Sequence, residues 1–297
     1  MVDKSINRLA FGTTLLAFIV VVLGAYTRLT DAGLGCPDWP GCYGKLVPET
    51  NSINPLINTT KAWTEMIHRY LAGLLGLVIF TLSAVIFKNR VHFKKKSIIL
   101  GLAVSVLVIF QALLGMWTVT LKLLPVVVMA HLLGGLATLS LLWWLFLTLY
   151  PNKTPVKINP PLRFWSIAAL VALILQISLG GWTSANYAAL VCLDFPFCNN
   201  THNRILSLLE TIHMLHRVGA LLTSLVIVWL AFLIWRSKNT KPMLILAPII
   251  FTLLMMQLFL GITNVLALLP LPIAVAHNAV AALLLLSLVT VNYFIYE

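Results

Sequence analysis

The stretch TEMIHRY, residues 64–70, sets a carboxylate, an imidazole and a guanidinium (Glu65, His68 and Arg69) at the entrance to the apolar run YLAGLLGLVIFTLSAVIF. Residues three and four apart share a helix face. In a helix, Glu65 and His68 therefore point to one side, where the carboxylate could do acid/base or charge-stabilising work beside the imidazole. Three further histidines occupy comparable apolar settings: His131 in MAHLLGG, His216 in HMLHRVGAL and His277 in VAHNAVA. Polar groups in such surroundings are costly and face a bundle interior or a cavity, so these four imidazoles are the first candidates for chemistry.

The elements that position them follow from composition. Of 297 residues, 60% are hydrophobic and 9% charged, against about 25% charged in soluble domains; the chain is expected to be an integral membrane protein. A hydrocarbon core of about 30 Å takes about 20 apolar residues in a helix. Runs of that length lie near 9–29, 62–87, 97–121, 125–149, 164–186, 207–235, 243–268 and 271–295. They are continuously apolar rather than alternating, so the fold class is all-α with eight transmembrane helices.

The net charge of +12 is sorted by side. Lys4, Arg8, Lys88, Arg90, Lys94, Lys95, Lys96, Lys153, Lys157, Arg163, Arg236, Lys238 and Lys241 fall on one face if helices alternate, while Lys45, Lys122 and Arg204 fall on the other. This distribution argues against nucleic acid as partner and places both termini in the cytoplasm, with the cysteine loops outside. No small-residue cleavage site follows the first apolar run, which reads as a retained anchor, and no Arg/Ser-rich transit segment is evident; a bacterial cytoplasmic membrane is expected.

The chain repeats itself. GAYTRLTDAGLGCPDWPGC (24–42) answers to GGWTSANYAALVCLDFPFC (180–198), relating Cys36 and Cys42 to Cys192 and Cys198 by an offset of 156. IHRYLAG matches LHRVGAL, pairing His68 with His216 at 148, and PVVVMAHLLGG matches LPIAVAHNAVA, pairing His131 with His277 at 146. QALLGMWTV likewise matches QLFLGITNV. The expected architecture is two tandem pseudo-symmetric four-helix bundles, residues 1–150 and 151–297. All four histidines then lie at one depth near the outer face, two per bundle.

Two imidazoles from facing helices fall short of the four ligands zinc ordinarily takes, but supply the two axial ligands of a haem iron. The plain alternative is a hydrogen bond across the bundle. Gly73, Gly76, Gly134, Gly135 and Gly219 would let a flat ring approach, although helix packing also favours glycine there. Arg28, Arg69 and Arg217 are candidate propionate contacts, or else interfacial anchors or partners for Asp31 or Glu210. Each C-x5-C pair in an oxidising outer loop points to a disulfide, Cys36–Cys42 and Cys192–Cys198, holding the loop as a lid. The repeat breaks at one position: Glu65 aligns with His213. A carboxylate in one half alone suggests that this half does acid/base or charge-stabilising chemistry while the other holds a haem for electron transfer; a favourable charge near a helix start is the alternative.

These motifs together resemble the haem A synthase family over essentially the whole chain, in its compact bacterial form. The resemblance implies a membrane oxidoreductase that oxidises a ring methyl of haem O to a formyl group, by two hydroxylations and a dehydration, giving haem A for cytochrome oxidase assembly. It implies haem b as cofactor on His216 and His277, haem O as substrate at His68 and His131, Glu65 as the essential carboxylate, and an outer-loop disulfide at Cys36–Cys42. Partners would be haem O, the haem O synthase that supplies it, membrane lipid, an electron-transfer partner and oxidase assembly factors. A quinol-linked di-haem cytochrome b or a non-enzymatic haem carrier would also use paired histidines. The Q-x3-G motifs at Gln111, Gln176 and Gln257 read as interhelical hydrogen bonding. His213 could meet a haem edge or cap its helix, and His92 and His202 match no repeat.

Overall fold

The computed structural model describes residues 4–48, 58–150, 160–198, 206–237 and 240–296. Lys153, Lys157, His202, Arg204 and Lys238, to which the sequence assigned loop positions, lie outside them. The long helices are α1 (Lys4–Leu29), α2 (Thr59–Lys88), α3 (Lys95–Thr120), α4 (Pro125–Leu149), α5 (Pro160–Ala185), α6 (Leu208–Arg236), α7 (Lys241–Leu266) and α8 (Leu271–Tyr296). Each is long and apolar enough to cross a membrane, and the chain is an all-α, multi-pass membrane protein.

The helix ends are set by local chemistry. Asn58 caps α2 by accepting from the Lys61 N–H at 3.1 Å. Ser207 and Glu210 form a reciprocal capping box on α6, so two of the orphan N–H groups there find acceptors. Pro125 opens α4, where its missing N–H costs nothing. The turn after α3 carries two successive left-handed residues, Lys122 and Leu123, and the turn after α7 carries Leu268 and Leu269, with φ of 50–60° in all four. These pairs share the 146-residue offset of His131 and His277. Asp31 and Tyr187, left-handed at φ 51° and 55°, share the 156-residue offset of the cysteines. The repeat is thus written into backbone conformation as well as residue type.

The helices cluster into two compact units, Met1–Pro151 and Asn152–Glu297. In the first, α1 and α3 each pack against both α2 and α4; in the second, α5 and α7 each pack against both α6 and α8. Each unit is therefore a closed ring of four helices. Ile79, Leu82 and Ile86 of α2 and Leu139, Leu142 and Leu145 of α4 are fully buried in the first unit, whereas Leu77 and Leu102 are about two-thirds exposed. Apolar residues on both faces suit a helix whose outer solvent is lipid.

Within the units, polar side chains find protein partners. Ser105 Oγ donates to Ser83 Oγ and Ser83 Oγ to the Gly101 carbonyl, both at 2.9 Å, tying α3 to α2. Asn292 Nδ2 donates to the Ser166 carbonyl at 3.1 Å, tying α8 to α5. Replacing Asn292 with Leu keeps the number and branching of side-chain heavy atoms but removes this bond. Interhelical bonds of this kind average about 0.6 kcal/mol and reach about 1.7 kcal/mol. Asn292→Leu is expected to lower the unfolding midpoint in detergent by a matching small amount, and an unchanged midpoint would show that the bond contributes nothing.

Candidate functional site

Helices α2, α4, α6 and α8 each bring one histidine to a similar distance from their first residue. His68, His131, His216 and His277 lie nine, six, eight and six residues after Thr59, Pro125, Leu208 and Leu271, or about 9–14 Å along the axis at 1.5 Å per residue. His68 and His131 are close enough to interact electrostatically, as are His216 and His277. Nδ1 of His68, His131 and His277 is buried without a hydrogen-bond partner among the described residues.

Each imidazole rests on a glycine of the preceding helix. A Cβ built on Gly24 of α1 would stand 3.1 Å from His68 Cε1; on Gly115 of α3, 3.4 Å from His131 Cε1; on Gly180 of α5, 2.8 Å from His216 Cε1; and on Gly261 of α7, 3.0 Å from His277 Cε1. A methyl group at Gly180 or Gly261 would have to displace the ring. The glycines expected from sequence to admit a ring behave differently. Gly73 has nothing within 4 Å of a built Cβ, and Gly134 and Gly219 are occupied by the side chains of Gln111 and Gln176. The signal that could have identified the true cradles is the glycine of Q-x3-G, which recurs one helix before three of the histidines.

Two of the glutamines hold the rings. Gln176 Nε2 lies 2.9 Å from His216 Nδ1 and donates to the His216 carbonyl at 2.9 Å; Gln257 Nε2 lies 3.1 Å from His277 Nε2. The interhelical role expected for the Q-x3-G residues is thus directed at the candidate ligands themselves. Gln111 is 8% exposed, and neither atom of its amide has a partner among the described residues.

Above the first pair lies the disulfide loop. Cys36 is bonded to Cys42, and Cys192 to Cys198. Glu65, 4% exposed, accepts from the Cys36 N–H through Oε2 at 2.8 Å and from Arg69 Nη2 through Oε1. Arg69 Nη1 in turn donates to the carbonyls of Asp38, Pro40 and Gly41 at 2.9, 3.3 and 2.6 Å. Gly35 makes this docking steric as well as polar, since a Cβ there would sit 2.5 Å from the Lys61 carbonyl carbon and 2.7 Å from the Ala62 nitrogen. Asp38 braces the far side of the loop. Partial burial works to raise its pKa, but N–H groups of Gly44 and Tyr43, each at 2.7 Å, outweigh this and hold it below the usual carboxylate value.

The second unit repeats the clamp without the acid. Arg217 donates to the carbonyls of Asp194, Pro196 and Cys192 at 2.5, 3.1 and 2.6 Å. His213, at the position of Glu65, is buried with no partner for Nδ1 among the described residues. The expectation that Glu65 faces the same space as His68 needs adjusting: the disulfide loop covers that part of α2, and the carboxylate turns to the donors it offers. Arg69 and Arg217, candidates for propionates, are engaged by loop carbonyls, and Arg28 lies 3.5 Å from Asp31.

The donor set tests what could bind. Among the described residues no group of three or more His, Cys, Asp or Glu could hold a lone metal ion. Paired imidazoles with unpartnered ring nitrogens, in apolar surroundings, fit instead a group whose metal takes one ligand from each side.

Sequence comparison agrees with this geometry. Residues 7–289 match the COX15-CtaA family, described as cytochrome oxidase assembly protein. The chain belongs to this family. It is 42% identical to a heme A synthase of Shewanella oneidensis, the match covering 96% of this chain and 95% of that one. It is 28% identical to a heme A synthase of Halalkalibacterium halodurans over 94% of this chain and 93% of the relative. A third heme A synthase, of Caulobacter vibrioides, is 27% identical over 91% and 90%.

The clamp predicts a graded response. Arg69→Leu leaves the buried Glu65 charge unpaired and three carbonyls without their donor, a change worth about 3–5 kcal/mol when a buried pair is broken from one side. Glu65→Gln keeps an acceptor for Cys36 and should cost less. Proteolysis of the 36–45 loop is expected to accelerate strongly in Arg69→Leu and weakly in Glu65→Gln; equal rates in both would contradict the clamp.

Proposed function

We propose that the protein is a haem A synthase of a bacterial cytoplasmic membrane, with both termini cytoplasmic and the disulfide loops outside. It oxidises a ring methyl of haem O to the formyl group of haem A by two hydroxylations followed by loss of water. The observation that carries this reading is the break in an otherwise repeated site: two units with matching histidine pairs and arginine clamps, and a carboxylate at Glu65 in one of them only. The family membership and the heme A synthase relatives support it.

In this reading His216 and His277 hold a resident haem b in the second unit, and His68 and His131 ligate haem O in the first. Haem b, when bound, supplies one-electron redox chemistry. The remaining work falls to the chain. Gly24 and Gly115 set how deeply the two substrate-side imidazoles recede between helices. The Cys36–Cys42 loop, held by Arg69, limits water at the outer end. Glu65, held at the loop by the Cys36 N–H and Arg69 one helical turn before His68, is the carboxylate that would stabilise positive charge developing at the substrate carbon or pass a proton to the outer face. Apolar helix faces accommodate the farnesyl tail. Electron-transfer and assembly partners would meet the protein from within or beside the membrane.

Two variants test the division. Glu65→Gln is expected to purify with its b-type haem and to accumulate haem O or a hydroxylated intermediate in place of haem A. His216→Ala is expected to lose the b-type haem. Chromatography of extracted haems separates the outcomes. Haem A at the wild-type level in Glu65→Gln would refute the catalytic role, and haem b alone in the wild-type protein would favour a di-haem cytochrome.

A further inference from the structure

Gln111 brings a side-chain amide to the first histidine pair and leaves both of its polar atoms unanswered. The residue is 8% exposed, and neither Nε2 nor Oε1 has a hydrogen-bond partner among the described residues. His131 is hydrogen-bonded to the Gln111 backbone, a contact that does nothing for the amide. The side chain lies over Gly134 of α4, where a built Cβ would collide with Nε2. A buried amide without a partner is destabilising, so it points to a polar group that the site takes in.

The repeat shows that this placement is particular to the first unit. The offset of 146 that relates His131 to His277 also relates Gln111 to Gln257, but it relates Gly134 to Val280, which is buried. A valine there carries the Cβ that Gly134 must lack, and Gln257 Nε2 lies instead 3.1 Å from His277 Nε2. Gln176 lies against Gly219, yet its Nε2 stays on His216. Of the three glutamines, Gln111 alone keeps its amide donor and acceptor both unengaged among the described residues.

Depth narrows the chemistry. Gln111 lies nine residues before the end of α3 and Gly134 nine residues after the start of α4, so the amide sits about 13–14 Å in from those ends and about 4–5 Å deeper than His131. In the orientation proposed above, that level is hydrocarbon. Haem O has few polar groups on its ring edge: two propionates, and a hydroxyl on the carbon that joins the farnesyl chain to the ring. An amphipathic ring turns its propionates toward water, and the hydroxyl stands on the opposite edge. The methyl that is oxidised shares its pyrrole with a propionate, which keeps it on the outer side with Glu65. A hydroxyl carried into hydrocarbon needs a partner that donates and accepts, and an amide does both. Haem b has a vinyl group in place of the hydroxyl and tail.

We propose that Gln111 is a specificity-determining residue: its amide hydrogen-bonds the side-chain hydroxyl of haem O, and Gly134 is small so that the amide can lie at that level. The proposal rests on the reading in which His68 and His131 ligate haem O. It adds the group by which the first unit tells haem O from a haem without the hydroxyl. Such discrimination is effective because an analogue lacking the hydroxyl leaves the buried amide unpaired.

The test uses the full-length protein, purified in detergent with its resident haem from cells that make no haem O. With oxygen excluded, it is equilibrated with an equimolar mixture of haem O and the alkene formed from it by loss of the side-chain hydroxyl as water. Gel filtration removes unbound haem, and chromatography of the extracted haems reads the ratio taken up. The wild type is expected to favour haem O about tenfold. Gln111→Met, which keeps the length of the side chain without its hydrogen-bonding groups, should take up the two equally at an unchanged unfolding midpoint. Gly134→Ala, whose methyl displaces the amide, should lower the preference. Equal uptake by the wild type would overturn the proposal. So would a wild-type preference retained in Gln111→Met, the result expected if the amide is satisfied by a bound water or serves the oxidised carbon instead. His131→Ala is the separate check: undiminished uptake of both haems in that variant would refute the assignment of haem O to this histidine pair, whatever the Gln111 variants do.

Discussion

Lipid cannot solvate an imidazole, a carboxylate or a guanidinium; the arginines and Glu65 are matched with protein partners, while ring nitrogens of the histidines are left to a ligand. The constraint acts through adjoining residues of one helix. On α2 and α6, Arg69 and Arg217 collect the carbonyls of a disulfide loop, groups that would otherwise lie unpaired where water thins out. At nearly the same level, one residue earlier on each of these helices, His68 and His216 recline on glycines of the neighbouring helix, as His131 and His277 do on theirs. Contact there is made by ring carbon against backbone, which leaves ring nitrogens to be satisfied by a glutamine or by a ligand.

The two units obey the same constraint with different residues. In the second, a glutamine answers each imidazole, and the arginine clamp works alone. In the first, the clamp gains a carboxylate that reaches the Cys36 N–H, and α1 carries Val20 four residues before its cradling glycine where α3, α5 and α7 carry a glutamine.

Much of the fold could be read from the chain because a hydrocarbon phase makes long apolar helices the only economical answer. The eight runs predicted from sequence match eight helices, extended at ends such as Lys88, Arg236 and Lys241 where charged residues continue the helix beyond the apolar stretch. The cysteine pairs follow from spacing within a six-residue separation. Side-chain direction was harder to read. Helical spacing puts Glu65 and His68 on one face, but it does not say that a loop thirty residues upstream supplies the donor that Glu65 meets. The cradling glycines were equally hidden, since they lie on helices that carry no histidine and take their meaning only from which neighbour packs against them. Gln176 and Gln257 were legible as interhelical donors, although the identity of their acceptor depended on the same packing.

The glycine cradles have a genetic corollary. Every amino acid reachable from a glycine codon by one base change carries a Cβ. The second-unit positions therefore offer no neutral first step: any missense change at Gly180 or Gly261 pushes against an imidazole ring about 3 Å away. The replacements open to Gln176 and Gln257 differ in kind, because they alter a hydrogen bond without invading the cradle. Over evolutionary time such a site can drift in what its rings are bonded to while the shape of the cradle stays fixed.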